Sequence, residues 1–198
     1  MNKNRLEAFS DGVLAIVITI MVLELKVPHV NELSALKPLI PKILSYVLSF
    51  IYLAIYWNNH HHMMHTVKHV TGDILWANVH LLFWLTLVPF VTAWMGENHF
   101  APMPMALYGI VLLFAAIAYF ILQSRIIKNH GADSILSRAI GKDLKGKSSP
   151  ILYFIAILSC WFNPWIAGAL YVFVALIWLI PDKRIEVIFK NDVHGLKN

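Results

Sequence analysis

Arg5-Leu6-Glu7-Ala8-Phe9-Ser10-Asp11, running into Gly12-Val13-Leu14-Ala15-Ile16-Val17-Ile18-Thr19-Ile20-Met21-Val22-Leu23, decides the fold. A charged head is joined to an apolar run that, taken over 6–27, is long enough to cross a bilayer, which needs about 20 residues for a hydrocarbon core of roughly 30 Å. Pro28 closes it. Glu7, Asp11 and Glu24 are costly inside lipid, so this helix is expected to sit within a bundle and turn its acids toward protein or water. At about 100° per residue, Arg5, Phe9, Gly12, Ile16, Thr19, Ile20 and Leu23 share one stripe, whereas Glu7, Ser10 and Asp11 fall on another face. From periodicity alone, the commoner reading of such a stripe is a packing seam.

The remainder agrees with a membrane solvent. Of 198 residues, 59% are hydrophobic and 14% charged, against roughly 25% charged in soluble domains; mean hydropathy is +0.65. No Gly/Ser-rich or Pro-rich linker divides the chain, which reads as one domain over 1–198. The single cysteine, Cys160, excludes an intrachain disulfide and reads as packing. A cleaved signal peptide is not expected: Glu7 and Asp11 stand where a basic segment belongs, and no small-residue cleavage site follows Leu23.

Further spans are expected over 38–59, opened by Pro38 and Pro41, over 74–95, kinked at Pro89, and over 104–124. The stretch 148–180 contains no Asp, Glu, Lys or Arg, yet as one helix it would reach roughly 50 Å. It is expected to fold back at Asn163-Pro164 into helices over 149–162 and 165–180. The fold class is therefore an all-α membrane bundle of six transmembrane helices. With a cytoplasmic N-terminus, thirteen of the sixteen basic residues fall on the inner side and only Lys26, Lys37 and Lys42 outside. By the positive-inside rule, both termini are expected to be cytoplasmic and the protein to be multi-pass in the cell membrane. The net charge of +5 is thus assigned to topology, with no nucleic-acid partner.

Arg5, Phe9, Ser10 and Asp11, spaced R-x-x-x-F-S-D ahead of an aliphatic run, resemble the signature of the transmembrane protein 175 family of potassium channels. The resemblance covers about residues 5–27 and includes one copy of the motif, as in prokaryotic members. It implies a homotetramer with the first helices around a pore permeant to K+ and other monovalent cations. It further implies a principal hydrophobic constriction at Ile16, a polar ring at Thr19, and Ile20 and Leu23 along the same line. No Thr-Val-Gly-Tyr-Gly filter is present, so a carbonyl cage has no residues here. Arg5, Phe9, Ser10 and Asp11 then become the fastening of the pore helix, with network partners expected among Trp57, Asn58, His60, Trp76, Asn78 and His80.

A second cluster, His60, His61, His62, His65 and His69, leaves other readings open. His61, His65 and His69 recur every four residues, so a continued helix would align them as a candidate transition-metal site, although the commoner reading of such a cluster is a solvated, pH-responsive cytoplasmic loop. A metal-ion or proton-coupled transporter using 60–69 is the alternative function, and a membrane protein without transport activity is a third. The cluster lacks the H-E-x-x-H pattern of zinc proteases, and no nucleophile and base converge. Neither an enzyme nor a cofactor is expected.

Overall fold

The computed structural model describes residues 2–29, 31–131, 133–140 and 143–179. Every regular element among them is helical: α1 (Lys3–Leu23), a 3-10 helix (Leu33–Leu39), α2 (Ile40–His65), α3 (Gly72–Thr86), α4 (Val88–Glu97), α5 (Pro102–His130), α6 (Ile135–Ile140), α7 (Leu144–Ser159) and α8 (Pro164–Leu179).

The boundaries differ from the expected ones for local reasons. The first helix stops at Leu23, short of 27, with Glu24 as its C-cap. At its other end the Asn2 side chain accepts from the Asn4 N–H at 3.1 Å. The second helix continues beyond 59 to His65, carrying the histidines into helical register, since His60, Met63 and Met64 remain buried. Residues 72–97 form two helices broken at Leu87, near Pro89, which cannot donate to the carbonyl of Leu85. The fifth helix overruns 124 because Ile126 is still buried, and ends at Gly131 in the left-handed region, φ 93°. The fold-back falls at Asn163, whose Oδ1 accepts from the Trp165 N–H at 3.0 Å as α8 starts.

Four stretches are long and apolar enough to cross a membrane: Lys3–Leu23, Leu33–His65, Gly72–Glu97 and Pro102–His130. The sixteen residues of α7 and of α8 span roughly 24 Å each at 1.5 Å per residue.

The core surrounds α5, which packs on α3, α7, α4 and α8. Small residues allow close approach, as expected where dispersion rather than the hydrophobic effect joins helices in lipid. Ala115 and Ala118 of α5, Ala156 of α7 and Ala167 of α8 are fully buried. A Cβ on Gly109 would meet Ile157 Cγ1 at 2.8 Å and run into the Tyr171 hydroxyl. On the outside, Phe114, Phe120, Phe154, Leu158, Phe173 and Leu176 are exposed, an apolar surface suited to lipid.

Candidate functional site

Helix α1 has two unlike faces. Leu6, Ser10, Leu14, Val17 and Met21, spaced by three or four residues, are buried against α2, α3 and α4. Arg5, Phe9, Gly12, Ile16, Thr19, Ile20 and Leu23 are all exposed in the single chain, Ile16 at 59% and Leu23 at 73%. The aliphatic stripe is therefore not a seam within the subunit. Thr19 Oγ1 donates to the Ala15 carbonyl at 2.8 Å, so its oxygen lone pairs remain free to face outward. Beside this face, an open groove between α1 and α4 is walled by Ile16, Ile20, Phe90 and Trp94.

The buried face is fastened by a chain of polar contacts. Ser10 Oγ donates to the Leu6 carbonyl at 2.9 Å and accepts from Asn78 Nδ2 at 2.9 Å. Asn78 Oδ1 in turn meets His60 Nε2 at 2.7 Å. All three side chains are essentially inaccessible to solvent, so each polar group finds its partner inside the bundle. A second tie lies nearer the surface, where Trp57 Nε1 donates to Asp11 Oδ1 at 3.0 Å. Glu7 faces Lys3 Nζ at 3.8 Å, and its Oε1 is buried without a hydrogen-bond partner among the described residues.

Trp57, His60 and Asn78 thus reach the motif, whereas the other expected partners do not. Trp76 borders an open groove with Arg5 and Phe9, and His80 accepts from Trp84 Nε1 at 3.0 Å on its own helix. Asn58 makes no hydrogen bond to α1 among the described residues. The Arg5 guanidinium likewise has no hydrogen bond or ion pair among them.

The alignment of His61, His65 and His69 is not realised. His61 and His65 meet at 3.0 Å between Nε2 atoms, but α2 ends at His65 and the chain turns at Thr66. His69 instead stacks on His130, with ring centroids 4.5 Å apart. Among the described residues, no three histidine, cysteine or acidic side chains are placed to hold a metal ion.

Sequence reasoning missed a second buried polar cluster. Thr92 Oγ1 donates to the Val88 carbonyl at 2.6 Å and lies 2.6 Å from Ser49 Oγ, Ser49 lies 3.1 Å from the Tyr108 hydroxyl, and Tyr52 donates to the Tyr171 carbonyl at 2.6 Å. The signal was the polar row Ser45, Ser49, Tyr52 and Tyr56 at helical spacing in an otherwise apolar span.

Comparison with known proteins agrees with this geometry. The family model described as the endosomal/lysosomal potassium channel TMEM175 matches residues 5–89, from the motif through α3. A potassium channel of a Chryseobacterium species is 57% identical over 192 residues, covering 97% of this chain and 100% of that one. A potassium channel of Chamaesiphon minutus is 33% identical over 192 residues, covering 87% of this chain and 93% of that one. The crystal structure titled as a lysosomal potassium-selective channel TMEM175 homologue from Chamaesiphon minutus superposes with a TM-score of 0.79 at 30% identity, covering 91% of this chain and 97% of that one. By its helical membrane fold, its motif-bearing first helix and these relatives, the chain belongs to the TMEM175 family.

Proposed function

We infer that this protein is a potassium channel whose pore is formed by the α1 helices of four copies around a common axis. The observation that carries the reading is the division of α1. Ser10 and Asp11 are tied inward through Asn78 and Trp57, while Phe9, Ile16, Ile20 and Leu23 are exposed among the described residues. Apolar rings of this kind are stable in a symmetric assembly that covers them. Arg5, beside Trp76 and without an ion pair among the described residues, then faces a neighbouring subunit.

Selectivity follows from hydration. A ring of Ile16 side chains offers no oxygen to replace lost water, so the ion that sheds water more cheaply crosses more easily. Potassium holds its water less tightly than sodium, which gives a real but modest preference. Thr19, one turn on, supplies a ring of oxygen acceptors. Dewetting of the Ile16 ring closes the path.

The α7–α8 hairpin completes six spans in the cell membrane, with both termini cytoplasmic. Lys3, Lys68, Arg125, Lys128, Arg138, Lys145 and Lys147 lie in the segments assigned to the inner side. Lys42, on the opposite side, pairs with Glu97 at 2.9 Å.

The test is electrical recording from purified full-length protein in planar bilayers with K+ and Na+ on opposite sides. A current reversing on the potassium-selective side of zero, without a counter-transported ion, is expected. Absence of current, or flux obligatorily coupled to protons, overturns the reading.

A further inference from the structure

Away from α1, helices α2, α5, α7 and α8 line a small, partly open cleft. Its walls carry Tyr52, Tyr56, Tyr119, Phe120, Tyr153 and Trp178. The rings meet one another at angles: Tyr56 and Tyr119 edge to face at 6.1 Å, Tyr119 and Trp178 edge to face at 6.4 Å, and Tyr52 and Tyr153 tilted at 6.3 Å. No lysine or arginine lines the cleft among the described residues.

One carboxylate does. Asp143 Oδ1 accepts from the Gly146 N–H at 3.0 Å, and Oδ2 accepts from Gln123 Nε2 at 3.1 Å. Both donors are neutral, and the charge has no ion-pair partner among the described residues. Asp143 is the N-cap residue of α7. A capping residue ordinarily has extended backbone, whereas Asp143 sits in the left-handed region at φ 40° and ψ 53°, a conformation that costs a non-glycine residue energy.

An aromatic-lined cleft that also holds a carboxylate is the chemistry that recognises an organic ammonium: ring faces attract a cation that sheds water readily, and the carboxylate supplies the opposite charge. A bare alkali ion would need several oxygen ligands, and the surface that the cleft exposes is mainly apolar, with Ile55 and Ala116 beside the rings. We propose that this cleft binds a small quaternary-ammonium cation, separately from the α1 face.

The experiment is binding of tritiated choline to the purified full-length protein. Saturable binding is expected, displaced by tetramethylammonium and not by the neutral isostere 3,3-dimethylbutan-1-ol. Asp143→Asn, which retains a capping side chain, and Tyr119→Leu, in the cleft wall, should each weaken binding about tenfold while the protein elutes at its wild-type volume. Equal displacement by the neutral isostere would mark an apolar slot, such as one for a lipid tail, and overturn the proposal. So would the absence of saturable binding, or an affinity unchanged in both variants, which would place the cation elsewhere, in the pore for instance.

Discussion

Trp57 of α2 donates its indole N–H to the Asp11 carboxylate of α1 at 3.0 Å, and the same indole stacks on His61 at 5.9 Å between centroids. The charged residue that makes α1 costly in lipid is therefore the one that orients it. With Asp11 held toward α2, Ile16 and Leu23 are left facing outward.

Removing this tie should loosen α1 without unfolding the bundle. Asp11 is half-buried, so Asp11→Ala is expected to cost about 1 kcal/mol, or roughly 2–4 °C in Tm for a chain of this size. It should also reduce potassium current. Asp11→Asn keeps an acceptor and should retain most of both, as read by thermal unfolding and liposome flux; wild-type current in Asp11→Ala would refute the fastening.

Ser10, Asn78 and His60 should behave as one unit. Interhelical hydrogen bonds in lipid couple by roughly 0.6–1.7 kcal/mol, so Ser10→Ala and Asn78→Ala are expected to be non-additive by about that amount. A double-mutant cycle on Tm or denaturant midpoint measures it. Strict additivity would mean that the 2.9 Å contact carries no energy.

Gly109→Ala inverts an ordinary rule. Alanine in a helix normally gains about 1 kcal/mol over glycine. Here the added carbon meets Ile157 at 2.8 Å and the Tyr171 hydroxyl, which donates to the Met105 carbonyl at 3.0 Å. Overpacking of this kind costs on the order of 1–3 kcal/mol. A lowered Tm is expected, and a raised one would show that the α5–α8 contact gives way freely.

The turn after α2 depends on an imidazole. His130 Nε2 accepts the backbone N–H of Lys68 at 3.0 Å and of His69 at 3.4 Å. His130→Phe keeps a ring against His69 but removes the acceptor, so amide exchange at Lys68 and His69 should accelerate by about fivefold, in line with a lost hydrogen bond of roughly 1 kcal/mol. Unchanged exchange would assign the turn's order to ring stacking alone.

Much of this architecture was legible from residue order because membrane helices obey simple arithmetic. Apolar length and Pro28, Pro89 and Pro164 located the helices, and the polar head of α1 announced a helix with two faces. Boundaries failed where tertiary burial overrode local signals: Met63 and Met64 extend α2 past its expected end, and Ile126 extends α5. Spacing located His60 and Asn78 but could not choose among neighbours. Asn58 and His80 lie two positions from His60 and Asn78, yet His80 pairs with Trp84 on its own helix and Asn58 makes no hydrogen bond to α1 among the described residues. The pairing of His69 with His130 joins residues 61 positions apart, beyond any periodic signal. The row Ser49, Tyr52 and Tyr56 was visible in sequence but was overshadowed by the motif.

The central claim is that Ile16 forms the barrier the ion must cross, and it is tested most directly by bi-ionic reversal potentials of Ile16→Asn beside wild type in planar bilayers. A polar ring supplies the oxygen ligands that isoleucine withholds, so unitary conductance should rise and the preference for potassium over sodium should fall toward unity. Conductance and reversal potential both identical to wild type would place the constriction elsewhere.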